Sequence, residues 1–124
     1  MKALVTGANG HIGNHVVRSA LDAGMKTIAF VRDKSDRRAL AGLDVEVRTG
    51  DILDQASLTR ACEGVDVLFH VAAVHRNFSP NPDDIIRPAV EGTKNAIRVN
   101  RGIPPTATFR PVHCCSGNRI APQA

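Results

Sequence analysis

Thr6-Gly7-Ala8-Asn9-Gly10-His11-Ile12-Gly13 decides how this chain folds. An apolar run of strand length, Ala3-Leu4-Val5-Thr6, leads into it. A helical pattern leaves it, with Ile12, Val16, Val17, Ala20 and Leu21 on one face and Gly24 as the C-terminal stop. Three glycines three residues apart, between a strand and a helix, each have a separate steric use. Gly7 lets the chain turn sharply off the strand. Gly10 carries no side chain to block a bound diphosphate, and Gly13 lets the helix lie close to the sheet. The backbone N–H groups from Asn9 through His11 and Ile12 to Gly13 then face a negatively charged group, because the first amides of a helix have no partner within it. The motif gains specificity from its strand-turn-helix setting; the competing reading is a tight turn with no ligand.

Beyond this loop, strand-length runs alternate with helical ones. Thr27–Val31 reads as a second strand and Ser35–Leu43 as a short helix capped by Ser35. Val45–Val47 reads as a third strand and Ser57–Cys62 as a helix stopped by Gly64. Val65–Ala73 is a near-continuous apolar strand of the kind covered on both faces. Ile85, Ile86, Ala89, Val90, Ala96, Ile97 and Val99 mark a last helix, which bends at Pro88 or starts near it. The order β-α-β-α-β-α-β-α predicts an α/β fold, a partial Rossmann doubly wound parallel sheet of four to five strands in the order 3-2-1-4. Residues 1–100 form the N-terminal part of that domain. Residues 101–124 hold four of the seven prolines and read as an irregular tail, apart from a short strand near Val112–Cys114.

Composition narrows the function classes. Of 124 residues, 43% are hydrophobic and 23% charged, as in soluble domains. No apolar run approaches the roughly 18 residues of a membrane span. The opening residues carry no secretory pattern, so the expected location is cytoplasmic. The net charge of +4 comes from scattered basic residues, and with four Phe, no Trp and no Tyr the chain lacks stacking rings for nucleic acid. Cys62, Cys114 and Cys115 form no C-x-x-C metal pair; Cys62 reads as a small apolar residue, and the adjacent pair bridges only with strain.

The edge of the second strand should report the cofactor. An acid there bonds the ribose 2′-hydroxyl of NAD, and an arginine accommodates the 2′-phosphate of NADP. Val31 stands at the acid position, Arg32 follows and Asp33 comes one residue later, so NADP is favoured, with NAD as the alternative. Asp51, with Ile52 beside it, is placed to accept from the adenine amino group; its competing reading is a turn or cap aspartate. Ala72 and Ala73 end the fourth strand and leave room for a ribose, or simply pack. His70 and His75 flank the same region without an informative partner spacing and read as strand-end and loop residues.

With these residues together, the chain resembles the extended short-chain dehydrogenase/reductase family, the NAD-dependent epimerases/dehydratases, from about Lys2 to Val99. The resemblance rests on Gly7 to Gly13, Gly50-Asp51-Ile52-Leu53-Asp54, His70-Val71-Ala72-Ala73 and Pro88-Ala89-Val90-Glu91-Gly92-Thr93. Val31-Arg32-Asp33 and the Pro88–Thr93 stretch look most like the dihydroflavonol-reductase-like branch, whose members reduce a carbonyl with NADPH. Ser35–Arg38 through Asp51 also looks like sugar-nucleotide epimerases, and the two substrate classes stay open. The resemblance implies catalysis by a Ser or Thr with a Tyr-x-x-x-Lys, whose tyrosine is the acid/base and whose lysine lowers its pKa. No tyrosine is present in these residues. Cys114-Cys115-Ser116 falls where the carbonyl-orienting serine belongs, so Ser116 is the candidate for that role, against an ordinary loop serine. The proline-rich run after Gly102-Ile103 departs from the family pattern and reads as a truncation or frame shift near Asn100. The expectation is a cofactor-binding part that is inactive alone. A non-enzymatic dinucleotide sensor, or an interaction module that self-associates through an exposed sheet edge, is the alternative.

Overall fold

The computed structural model describes residues 1–72, 80–101 and 108–111. Among them, five strands form one parallel sheet in the order β3-β2-β1-β4-β5: β1 is Lys2–Thr6, β2 Lys26–Val31, β3 Glu46–Thr49, β4 Val67–His70 and β5 Thr108–Pro111. The helices are α1 (His11–Asp22), α2 (Gln55–Ala61) and α3 (Asp83–Arg101). The expected order 3-2-1-4 holds, and β5 extends it beside β4. That strand lies in the proline-rich tail at Thr108–Pro111; the strand expected at Val112–Cys114 falls outside the described residues, as do Ala73, His75, Cys114, Cys115 and Ser116.

Strand periodicity explains the two cores. Leu4 of β1 stands beside Ile28 of β2 and Leu68 of β4, and these face one way. They pack with Leu58 and Ala61 of α2 and Ala96 and Val99 of α3. The next residue in each strand faces the other way: Val5 and Ala29 pack against Val17 of α1, with Phe69 partly buried beside them. Side chains therefore alternate between two buried layers, which is why these strands read as continuous apolar runs.

Several boundaries move for local reasons. The helix expected over Ser35–Leu43 shrinks to one 3-10 turn, Arg38–Leu40. Ser35 donates its hydroxyl to the Arg32 carbonyl, and the Asp36 carboxylate accepts from both the amide and the guanidinium of Arg38. These short-range bonds replace helical ones. Helix α2 starts at Gln55, because Asp54 caps it by accepting from the Ala56 amide at 3.1 Å. Strand β4 stops at His70 because the next two amides, of Val71 and Ala72, turn to the Thr6 hydroxyl. Helix α3 starts at Asp83, more than a turn ahead of the expected start, and holds Pro88 inside it as its sixth residue, which gives up one backward amide bond.

Cys62, next to the end of α2, is buried, and burial pushes its thiol pKa up to about 11, with Arg48 opposing the shift. Its alkylation in the folded chain should therefore run about a hundredfold slower than that of an exposed cysteine at pH 8, since the thiolate is the reactive form. Peptide mass spectrometry after timed iodoacetamide treatment measures it. Equal rates with and without urea would contradict the burial.

Candidate functional site

The carboxyl ends of the strands carry the site, at the place where the chain, after building β2 and β3 on one side of β1, crosses to build β4 on the other. Parallel sheets open a crevice at such a switch point. Gly7 leaves β1 with φ of 65°, in the left-handed region that suits glycine. A Cβ there would stand 2.8 Å from the Ala72 Cα, so the loop and the chain after β4 touch backbone to backbone. The Gly10 amide donates to the Gly7 carbonyl at 3.0 Å and closes the turn, and the Asn14 amide donates to the Gly10 carbonyl at 2.8 Å and opens α1. A Cβ on Gly13 would stand 1.9 Å from the Gly7 carbonyl oxygen, so only glycine lets α1 rest on the loop. A Cβ on Gly10 would meet that oxygen at 3.3 Å, which the protein alone tolerates far better.

Gly10 is also the N-cap of α1, contributes no side chain to its amides, and no acidic residue lies in the first turn. That end of the helix dipole is positive and suited to an anion. The Asn9 side chain is occupied elsewhere: Nδ2 donates to the Asp36 carbonyl at 3.0 Å and ties the loop to the β2–β3 connection. Asn14 does the same toward the Ala39 carbonyl at 2.7 Å. The His11 ring stands edge-on to His15 with centroids 4.9 Å apart.

A cleft of about 690 Å³ runs along this edge, within the several-hundred-Å³ range of small-molecule sites. Gly7, Asn9, Gly10, His11, Ile12 and Gly13 line it. Arg32, Asp51, Ile52 and Ala72 line it as well. Ten of the twelve residues singled out from the sequence therefore meet around one cavity, while Ala73 and Ser116 lie outside the described residues. Arg32 faces the cleft and forms no ion pair among the described residues. Asp33 does not line the cleft; its carboxylate is largely exposed and lies 4.0 Å from Arg37. Asp51 is in part the turn residue that its competing reading expected, since Oδ1 accepts from the Leu53 amide at 2.9 Å.

Sequence reasoning missed one wall. Asp83, Asp84, Arg87 and Pro88 at the start of α3 line the cleft. The signal was available in the topology, because the β4–α3 connection leaves from the same sheet edge. Gly92 was quoted only as part of a motif; a Cβ there would stand 2.6 Å from Ile52 Cδ1, so it lets α3 close onto the Asp51-Ile52 side. His70 is not a wall residue. It is buried between Thr6 and Thr93, 3.0 Å and 3.3 Å away.

Comparison with known proteins agrees with this geometry. A protein-family model described as NAD(P)H-binding matches residues 7–102. Sterol demethylase protein B of Methylococcus capsulatus is 51% identical over 73 residues, which cover 59% of this chain and 22% of that protein. Tetraketide alpha-pyrone reductase 1 of Arabidopsis thaliana is 32% identical over 112 residues, covering 83% of this chain and 34% of that one. Among solved structures, the crystal structure of gox2253 matches with a TM-score of 0.73 and 40% identity, over 79% of this chain and 30% of that chain. The chain thus spans between 22% and 34% of the length of these relatives.

Proposed function

Because the chain belongs to the NAD(P)H-binding family, with the reductases and epimerases of the extended short-chain dehydrogenase/reductase type as its relatives, we propose that it binds NADP(H) across the cleft and supplies the cofactor half of a carbonyl reductase or epimerase site. The observation that carries this reading is the Gly7–Gly13 cradle. Its backbone is packed too tightly at Gly13 for any side chain, and its helix amides face an open cleft with Arg32 along the same edge. A dinucleotide fits that donor set. The amides of His11, Ile12 and Gly13 would hold the diphosphate, Arg32 the 2′-phosphate, and Asp51 the adenine amino group, with Ala72 and Ala73 leaving room for a ribose. The bound cofactor would supply hydride transfer.

The chain's own contribution is to bind and orient. Its 124 residues contain no tyrosine, so they cannot supply the tyrosine acid/base that the family's chemistry uses; Ser116 alone would orient a carbonyl without protonating it. We therefore expect NADPH binding without reduction of carbonyl substrates by this chain. A dinucleotide sensor, favoured by the same lack of tyrosine, shares the binding step and differs in needing a partner whose association responds to NADPH. The cytoplasmic setting expected from the sequence belongs to the same proposal; among the described residues no helix is long and apolar enough to cross a membrane.

Titration with NADPH and NADH, followed by nicotinamide fluorescence, tests the proposal. NADPH should bind about tenfold or more tightly than NADH, the worth of one charge-assisted contact. Absence of binding by either cofactor, or turnover of a carbonyl substrate by the pure chain, would contradict it.

A further inference from the structure

Behind the cleft lies a buried polar relay that the proposed binding residues do not include. Thr6, the last residue of β1, is fully buried, and its register partner His70, the last residue of β4, is 7% exposed. The Thr6 hydroxyl oxygen accepts from the Val71 amide at 3.0 Å and from the Ala72 amide at 3.1 Å, and lies 3.0 Å from His70 Nδ1. A hydroxyl has two acceptor lone pairs and one proton. The two amides take both lone pairs, so the proton goes to His70. Nδ1 is then the accepting nitrogen and the ring proton sits on Nε2, which lies 3.3 Å from Thr93 Oγ1 on α3.

The direction of this relay has a consequence at the site. Val71 and Ala72 line the cleft, and Ala72 backs directly onto Gly7. Their backbone is held there by the one hydroxyl whose orientation His70 sets. We propose that His70 is a positioning residue for the dinucleotide site: by accepting the Thr6 proton, it turns both Thr6 lone pairs onto the Val71 and Ala72 amides and so fixes the wall that faces the Gly7–Gly13 loop. This rests on the cleft being the cofactor site, and it adds a residue that touches neither the cleft nor the ligand. Thr93, on α3, is the outer member of the relay.

Three readouts on the 124-residue chain test the relay. Nitrogen-15 NMR of the His70 ring in the wild-type protein should show an unprotonated Nδ1. His70→Leu should raise hydrogen exchange at the Val71 and Ala72 amides about tenfold or more and weaken NADPH binding by about the same factor, the effect of loosening one buried hydrogen bond. His70→Asn, whose Oδ1 can stand near the position of Nδ1 as an acceptor, should recover most of both losses. Thr93→Val, which leaves the Thr6 contact in place, should stay near wild type in both. A residue that merely fills space would give Leu and Asn variants ranked by melting temperature, with the two amides following global stability. A protonated Nδ1, amides that stay protected in His70→Leu, or no recovery in His70→Asn would each overturn the relay. Should His70→Leu fail to fold, the ring spectrum and the Asn variant still decide. A wild-type chain that binds no NADPH would defeat the cofactor reading, while the ring and exchange data would judge the relay separately.

Discussion

Gly13→Ala should abolish NADPH binding and lower the melting temperature by more than ten degrees, about the shift that 2–3 kcal/mol gives in a domain of this size. The added methyl would stand 1.9 Å from the Gly7 carbonyl oxygen and 2.6 Å from its carbon. Both are backbone atoms of a loop that is itself pinned against Ala72, so no flexible side chain can move aside. Relief requires α1 to withdraw from the sheet, which opens the packing of Val17 against Val5 and Ala29. That puts the cost at the upper end of the range for overpacked cores. Gly10→Ala provides the contrast. Its methyl would meet the same oxygen at 3.3 Å, so the fold should survive with a small loss. The methyl would still occupy the place where the diphosphate approaches the N-cap of α1, and binding should fall much further than stability. Circular dichroism melts and NADPH titrations on the two variants separate the roles. Equal melting temperatures for wild type and Gly13→Ala would contradict the packing argument.

Arg32→Ala should lower NADPH affinity about 10- to 100-fold, the worth of a charge-assisted contact to phosphate, and leave NADH affinity within about twofold. Arg32 lines the cleft, whereas Asp33 turns toward Arg37. The residue directly ahead of Arg32, at the end of β2, is the buried, apolar Val31, which offers no carboxylate to a ribose 2′-hydroxyl. The pair of titrations matters more than either alone. Parallel loss for both cofactors would mean that Arg32 supports the loop and not the 2′-phosphate. No loss for either would remove it from the site.

Much of this was legible because the deciding interactions are local. Gly7, Gly10 and Gly13 meet one another within a single turn, so their spacing already contains the geometry. Leu4, Ile28 and Leu68 sit at corresponding places in their strands, and the succession of strand-length and helical runs was enough to order the sheet. The misread segments are those where a side chain competes with the backbone. Ser35 and Asp36 have helical neighbours in sequence, yet bond within the turn and limit the helix to Arg38–Leu40. The end of β4 was placed too late because the partner of the Val71 and Ala72 amides is a hydroxyl some 65 residues away in the chain. The α3 wall and the place of Gly92 against Ile52 follow from how far the chain travels after β4, which no periodicity records. His70 looked like an unpartnered strand-end histidine for the same reason: Thr6 and Thr93 are near it only in the folded chain.

In the proposed complex the unpaired amides of His11, Ile12 and Gly13 at the start of α1 receive a dinucleotide diphosphate. Amide chemical-shift mapping of the nitrogen-15-labelled chain during NADPH titration tests it most directly. His11, Ile12 and Gly13 should show the largest saturable shifts, with Arg32 and Asp51 next. Shifts that leave these three amides unchanged at saturating NADPH would contradict it.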